Sequence, residues 1–375
     1  NGSTEKPCLY LVLFYFHQRK LVMGLLNNLL NMCSLDLGID LGTANTLVCV
    51  RGQGIVIAEP SVVAVKKGTN KVLLNGLAVG NAAKEMLGKT HGSIEAIRPL
   101  RNGVIADFEV TECMLSYFIK KSQGRRHFRV KPRCIIAVPS GITEVERQAV
   151  INSAERAGAR KVFLVPEPMA SGIGVGLPVT EAVGSMIVDI GGGTTEVAVL
   201  SLAGMGVAES IRIAGDQFDD AIVQYMRSIY NLMIGDQTAE RIKITIGSAY
   251  SDGTDEATME VAGRDLQAGL PRRVIVHSDE IREALRKPIE QILDTIRSVL
   301  ERTSPELASD LMEQGLVIAG GGALLRGVDQ LISREIGLPV RVAEDPLTAV
   351  ESGTFQILEH IDLLHQIIEC TNEDD

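Results

Sequence analysis

The sequence predicts an α/β protein of two similar lobes, each a mixed sheet covered by helices, with two smaller inserted subdomains. Three observations lead there. A strand, Asp-x-Gly turn, strand, hairpin, strand pattern occurs twice, over Leu35–Ala58 and Ser185–Ile213. Each copy is followed by alternating strand and helix patterns, the order of a sheet covered by helices. The length of 375 residues suits two domains or one large bilobed one.

The first copy runs through Leu35–Thr46 and Leu47–Val50, turns at Arg51–Gly54 and returns over Ile55–Ala58. A helix is then expected at Thr111–Lys121, a strand at Cys134–Val138, a helix at Thr143–Ala157 and a strand at Val162–Val165. The second copy runs through Ser185–Thr195 and Val197–Leu200, turns at Ala203–Gly206 and returns over Val207–Ile213. A helix at Ser278–Thr303, a strand at Leu316–Ala319 and a helix at Leu324–Ile336 follow. Residues 60–103 and 215–275 interrupt this order and read as the inserted subdomains. The expected division is an N-terminal extension at 1–34, a first lobe at 35–174, a second at 175–347, and at 348–375 a helix returning to the first lobe with an acidic, frayed tail.

Composition bounds the function. Hydrophobic residues at 45% and charged residues at 22% exclude wholesale disorder. Aromatics are 4% and Trp is absent, so Val, Ile, Leu and Ala must fill the core. Against 37 Lys+Arg stand 47 Asp+Glu, a formal charge of −10, which argues against a nucleic-acid partner. Six scattered Cys without C-x-x-C read as reduced thiols of a cytosolic protein. No H-E-x-x-H and no Cys/His cluster occurs, so a structural zinc is not expected.

Asn1 rather than Met opens the chain, and residues 1–22 read as a segment upstream of a natural start at Met23 or Met32. The apolar run Leu9–Phe16 is shorter than the roughly 20 residues a spanning helix needs. No convincing small-residue cleavage site follows, so it is not read as a signal peptide. Over Leu21–Cys33 a helix would place Lys20, Asn27, Asn28 and Asn31 on one narrow face and six Leu or Met over the rest. That pattern suits a helix lying in a membrane interface. It suits equally a terminal helix packed on its own domain or on another subunit.

Three glycine clusters carry the chemistry. In Asp40-Leu-Gly-Thr-Ala-Asn-Thr46 a carboxylate ends a strand and Gly42 follows, so the backbone of Thr43, Ala44 and Asn45 can face a phosphate. Asp40 can hold Mg²⁺ through water, since that ion prefers oxygen ligands and keeps several waters. Taken alone, the same residues also fit an ordinary hairpin turn. Asp189-Ile-Gly-Gly-Gly-Thr-Thr195 repeats the arrangement, with Asp189 as the second candidate for Mg²⁺. The run Gly191, Gly192, Gly193 would weaken a strand end unless its backbone meets a ligand. Gly320, Gly321, Gly322 and Ala323 follow the strand Leu316–Ala319, where α/β sheets bind nucleotides beyond strand carboxyl ends. Neither G-x-G-x-x-G nor a Walker A motif is present at these loops, which disfavours both common nucleotide folds.

In order and spacing these motifs resemble the actin/Hsp70/sugar-kinase ATPase superfamily, with its actin-like fold of duplicated ribonuclease H-like domains. The runs I-D-L-G-T-A-N-T-L-V, R-G-Q-G-I-V, E-P-S-V-V-A-V, I-R-P-L-R-N-G-V-I-A-D-F, V-D-I-G-G-G-T-T-E-V-A-V, T-A-E-R-I-K and A-E-D-P-L-T-A-V are similar to the MreB family of bacterial actins, over about residues 35–365. The resemblance implies a first phosphate loop at Asp40–Thr46, a second at Asp189–Thr195 and an adenosine loop at Gly320–Gly322. It implies that Glu167 orients the attacking water, that Thr194 lies by the γ-phosphate, and that Glu240 and Lys243 lie at the nucleoside. It further implies ATP with Mg²⁺, slow hydrolysis coupled to filament formation, and a cytoplasmic protein peripherally bound to the inner face of the cell membrane. Its partners would be further copies of itself and the membrane-bound elongation and wall-synthesis proteins, through which it would organise peptidoglycan synthesis and rod shape.

Three departures and one basic run complete the reading. Pro166-Glu167-Pro168 replaces the family's E-E-P and keeps the glutamate. In Ser352-Gly353-Thr354-Phe355, Phe355 stands where a small residue is expected, which argues against close packing there. The extension before Leu35 is longer than typical. Gly124–Arg133 carries five positive charges around Phe128 and Val130. It reads equally as a contact to anionic lipid, worth about 1 kcal/mol per charge, and as a solvated loop. The alternative function on the same fold is a small-molecule kinase or phosphotransferase, for which no substrate base stands out. A chaperone would need a peptide-binding domain after the ATPase.

Overall fold

The computed structural model describes residues 35–69, 71–73, 78–86, 93–101, 103–124, 130–251, 253, 257–360 and 367. The helix expected at Leu21–Cys33, the centre of the basic run and the acidic tail lie outside the described residues.

The chain opens with an antiparallel meander, β1 (Leu37–Leu41), β2 (Asn45–Val50) and β3 (Gly54–Pro60). A smaller section follows, with β4 (Val63–Lys66), the short helix α1 (Asn81–Lys84), β5 (Ile94–Ile97), β6 (Leu100–Arg101) and β7 (Val104–Ile105). Helix α2 (Phe108–Ser122) begins three residues earlier than the apolar period alone indicates. Asp107 is the reason, since its side chain accepts the Val110 N–H at 3.0 Å and satisfies an otherwise orphan donor. Then come β8 (Arg133–Val138), α3 (Glu144–Ala157) and β9 (Lys161–Pro166). The start of α3 is written in sequence, because Thr143 and Glu146 form a reciprocal capping box. The first sheet has the order β3-β2-β1-β8-β9, with β8 and β9 parallel to β1.

Helix α4 (Glu167–Gly174) carries the chain across to the second sheet. There β10 (Ser185–Ile190), β11 (Thr195–Ser201) and β12 (Gly204–Ile211) repeat the meander. Helices α5 (Gly215–Tyr230) and α6 (Asp236–Ile246) follow, with the small sheet β13 (Leu232–Met233), β14 (Thr258–Asp265) and β15 (Pro271–His277). Phe218, Ile222 and Met226, four residues apart, form the buried face of α5. Next are α7 (Ser278–Arg302), α8 (Pro305–Gln314), β16 (Leu316–Ala319), α9 (Val328–Ile336), β17 (Val340–Val342) and α10 (Ala349–Glu359). The second sheet has the order β12-β11-β10-β16-β17, the same plan as the first. Two lobes of one design follow from one strand pattern used twice.

Two expectations need correction. The helix expected at Leu324–Ile336 begins only at Val328, after a 3₁₀ turn over Gly321–Leu324. Arg326 interrupts it, because its backbone pairs with Ser248 and its guanidinium donates to the Ile246 and Gly247 carbonyls at 2.9 and 3.1 Å. Those are unsatisfied carbonyls at the end of α6, and a tertiary contact outweighs local helix preference. Phe355 does not prevent close packing either. It is half-buried at the edge of a core shared by both sheets, while Gly174 of α4 and Gly353 of α10 bring the two backbones together. A Cβ on Gly353 would collide with the Ala170 carbonyl, and one on Gly174 with the Ala349 carbonyl.

Candidate functional site

The glycine turns after β1 and β10 and the turn after β16 open onto one cavity of about 420 Å³. That is the size of a small-molecule site. Its lining includes Asp40, Gly42, Thr43, Ala44 and Asn45 from the first turn, and Asp189, Gly191, Gly192, Gly193 and Thr194 from the second. Gly320, Gly321 and Gly322 of the third turn, Glu167 at the start of α4, and Glu240 and Lys243 on α6 also line it. Every residue singled out in the sequence reaches this cavity except Ala323. Ala323 is 4% exposed and packs into the core of the second lobe, since the 3₁₀ turn points its methyl inward.

The two facing turns nearly touch. A Cβ on Gly192 would stand 2.7 Å from the Ala44 Cβ and 3.1 Å from its amide nitrogen, so only glycine allows this approach. The carbonyls of Gly191 and Gly192 accept the N–H groups of Gly215 and Asp216 at 3.1 and 2.7 Å, fixing the second turn to the first residues of α5. Lys243 and Glu240 do not pair with each other. The Lys243 ammonium instead meets Asp219 Oδ1 and the Gly215 carbonyl, each at 2.9 Å, which holds it at the cavity wall.

Buried acids dominate the electrostatics. Burial raises the Asp40 carboxyl well above its ordinary range, and the charges of Glu351 and Asp189 add to this. Glu167 is raised in the same way, by burial first and then by Glu196, Asp40 and Asp189. Burial pushes Asp189 up to about 6, with a partial offset from the Ser171 hydroxyl and a smaller push from Glu196. Asp189 Oδ2 is buried and has no hydrogen-bond partner among the described residues. Crowded, desolvated carboxylates with one orphan oxygen favour a cation. Among the described residues no three His, Cys, Asp or Glu side chains are grouped to ligate a metal directly. The residues therefore fit an Mg²⁺ held by waters and phosphate oxygens rather than by a protein cage.

Several residues of the site were not singled out in the sequence. Gly103, Gly215, Arg326, Pro346, Leu347 and Val350 also line the cavity. Gly103 and Pro346–Val350 lie inside the runs that carry the family resemblance, which was a usable signal. Across the cleft, Arg98 Nη1 meets Asp216 Oδ1 at 2.6 Å. Glu196 accepts the Ser140 N–H at 3.1 Å, the Ser140 hydroxyl at 2.6 Å and the Ser210 hydroxyl. It thereby ties the second meander to the residues just past β8.

Twin meanders, a cleft between them, and three glycine turns closing on a pocket of buried acids define an actin-like fold with a candidate site between its lobes. A family model described as MreB/Mbl protein matches residues 34–366. The chain belongs to the MreB/Mbl family of actin-like, cell shape-determining proteins. The cell shape-determining protein MreB of Escherichia coli K12 is 55% identical to it over 332 residues, 88% of this chain and 95% of that protein. The crystal structure of MreB5 of Spiroplasma citri bound to AMPPNP matches with a TM-score of 0.82 at 40% identity, covering 89% of this chain and 98% of that one. The MamK double helical filament matches with a TM-score of 0.74 at 25% identity, covering 87% and 99%.

Proposed function

We propose that this protein is an ATP-hydrolysing, filament-forming bacterial actin that works at the inner face of the cytoplasmic membrane and organises peptidoglycan synthesis there. The convergence of three glycine turns and three desolvated acids, Asp40, Glu167 and Asp189, on one cavity between two lobes carries the reading. Backbone N–H groups of Thr43–Asn45 and Gly191–Thr194 would hold the phosphates, with Thr194 nearest the terminal one. Gly320–Gly322, Glu240 and Lys243 would hold the nucleoside. Bound Mg²⁺ would offset the phosphate charge, and Asp40 and Asp189 would orient its waters. Glu167 would align a water with the terminal phosphorus, and positioning with electrostatics would supply most of the rate. A nucleotide held by both lobes would set their relative angle, which loss of phosphate would change.

The solved relatives support two parts of this reading, since MreB5 is seen with AMPPNP and MamK as a filament. Head-to-tail contacts that do not close give open polymers, and a polymer multiplies weak membrane contacts into firm ones. Among the described residues no helix is long and apolar enough to cross a membrane. A membrane contact would therefore come from the segment before Leu35, from the basic run 124–133, or from both. Phosphate release from Mg·ATP without an added acceptor, measured beside electron microscopy on lipid, tests the proposal. Hydrolysis that depends strictly on an added acceptor would instead favour the phosphotransferase reading.

A further inference from the structure

Behind the first glycine turn lies a carboxylate that the scheme above does not use. Glu351, in the first turn of α10, is 0% exposed. Its Oε2 accepts the backbone N–H of Asp40 at 3.0 Å and the Thr354 hydroxyl at 3.1 Å. The Cys49 thiol lies against the same carboxylate. Its Oε1 has no hydrogen-bond partner among the described residues. A carboxylate with one bare oxygen is a costly way to fill space beside another acid, Asp40. One of the bonds it does make is to the amide of Asp40, the last residue but one of β1, which lines the cavity.

The same stretch of chain also holds the far side of the site. Just before α10, the Pro346 carbonyl accepts the Gly320 N–H of the third turn at 2.8 Å. Leu347 and Val350 line the cavity beside it. One segment, 346–351, therefore bonds to the first and third turns at once.

We infer that Glu351 is a positioning residue, which through the Asp40 amide sets where the first turn stands relative to the third and so where the Asp40 carboxylate meets phosphate-bound Mg²⁺. The inference rests on the ATPase reading and adds a residue outside the cavity lining to it. Its distinguishing feature is geometric: what matters is an acceptor oxygen at the Asp40 N–H, not the charge or bulk of the side chain.

Four variants of the full chain separate these properties. Glu351→Gln keeps length and an acceptor oxygen. Glu351→Asp keeps the charge and withdraws the acceptor by about 1.5 Å. Glu351→Met keeps the volume without an acceptor, and Thr354→Val removes another donor to the carboxylate without touching Asp40. Two readouts are taken: kcat and KM for phosphate release, and calorimetric ATP affinity with Mg²⁺ and with chelator. For Asp and Met, kcat is expected to fall about tenfold with KM moving less than about threefold, and the Mg²⁺-dependent gain in affinity to shrink about tenfold. Gln and Thr354→Val are expected within about threefold of wild type on both readouts. Either of Asp and Met suffices if the other does not fold. A folded Asp or Met variant with wild-type kcat and Mg²⁺-dependent affinity overturns the inference, and so does a Gln variant as impaired as Asp. A wild-type chain that binds Mg·ATP but releases no phosphate overturns the ATPase reading instead, and the affinity readout still judges Glu351.

Discussion

In the first glycine turn the residue facing Asp40 across the antiparallel register is Leu47; in the second, the residue facing Asp189 is Glu196. Around this difference the turns otherwise match. Thr46 and Thr195 sit six residues after their aspartates and anchor each turn, Thr46 to the Ser61 hydroxyl at 2.9 Å and Thr195 to the Ile213 carbonyl at 2.6 Å. Each turn has a buried glutamate behind it, but from a different source. The second carries its own, on β11, and spends it on Ser140 of the opposite lobe. The first has apolar Leu47 in that place and receives Glu351 from α10, more than 300 positions along the chain. A duplicated half thus kept its backbone plan, while the acid supporting each turn came to be recruited separately.

The strongest way to sharpen the contrast is to remove Glu167, the acid that feels the charge of both turns' aspartates. Glu167→Ala is expected to lower phosphate release by about 10²- to 10³-fold, within the usual range for a positioned acid or base. Nucleotide affinity, measured by calorimetry, should stay close to wild type. Equal turnover would remove Glu167 from its assigned role.

Next comes pH, in metal-free and nucleotide-free buffer. Burial raises Glu351 from an ordinary 4.5 to about 7. Between those values the folded chain holds a proton that the unfolded chain has released, so stability falls as pH rises through this window and levels off above it. The full span corresponds to about 3 kcal/mol. Glu351→Gln should flatten the slope of the unfolding midpoint against pH over this window, and an unchanged slope would show that other cleft acids carry it.

Glu196→Ala should cost about 2 kcal/mol of stability, because it orphans the Ser140 amide and two serine hydroxyls. Leu47→Ala in the matching place removes only apolar contacts and leaves no bare donor. Urea melts of both, with Glu196→Gln beside them, would show whether the cross-lobe bonds or simple bulk matter. Smaller still is the effect of the touching turns. Gly192→Ala should weaken ATP binding about tenfold, roughly 1.4 kcal/mol, by forcing Ala44 away. In the double variant with Ala44→Gly much of that loss should return; no recovery would mean that strain within the second turn, not the collision, is responsible.

How much of this could be read from the sequence follows the range of each interaction. The duplicated meander was legible because its strands pair with neighbours close in sequence and its Asp-x-Gly turn recurs at the matching place of both copies. The helix ends at Thr143 and Ala157 were legible because a capping box and a following Gly158 are local signals. The start of α9 was not, because Arg326 answers to α6, about 80 positions earlier. Within the site, the backbone-donating glycines announced themselves by clustering. Glu196 lay inside a recognised run yet showed no role, and Glu351 gave no signal, because a lone glutamate early in an amphipathic helix looks like any solvated one. Their partners lie 56 and 311 positions away, beyond the reach of any periodicity.

The contact between α4 and α10 has a consequence for how the molecule moves. Both helices join the lobes, α4 as the outbound span from β9 to β10 and α10 as the return onto β1 and β2. Where they cross, Gly174 lies against the Ala349 carbonyl and Gly353 against the Ala170 carbonyl, with no room for a Cβ at either point. Two such backbone contacts, flanked by the interlocked side chains of the shared core, fix the separation of the two spans, so a rocking of the lobes would pivot about this crossing and be felt most at the far, cleft side, where Arg98, Glu196 and whatever fills the cavity join them.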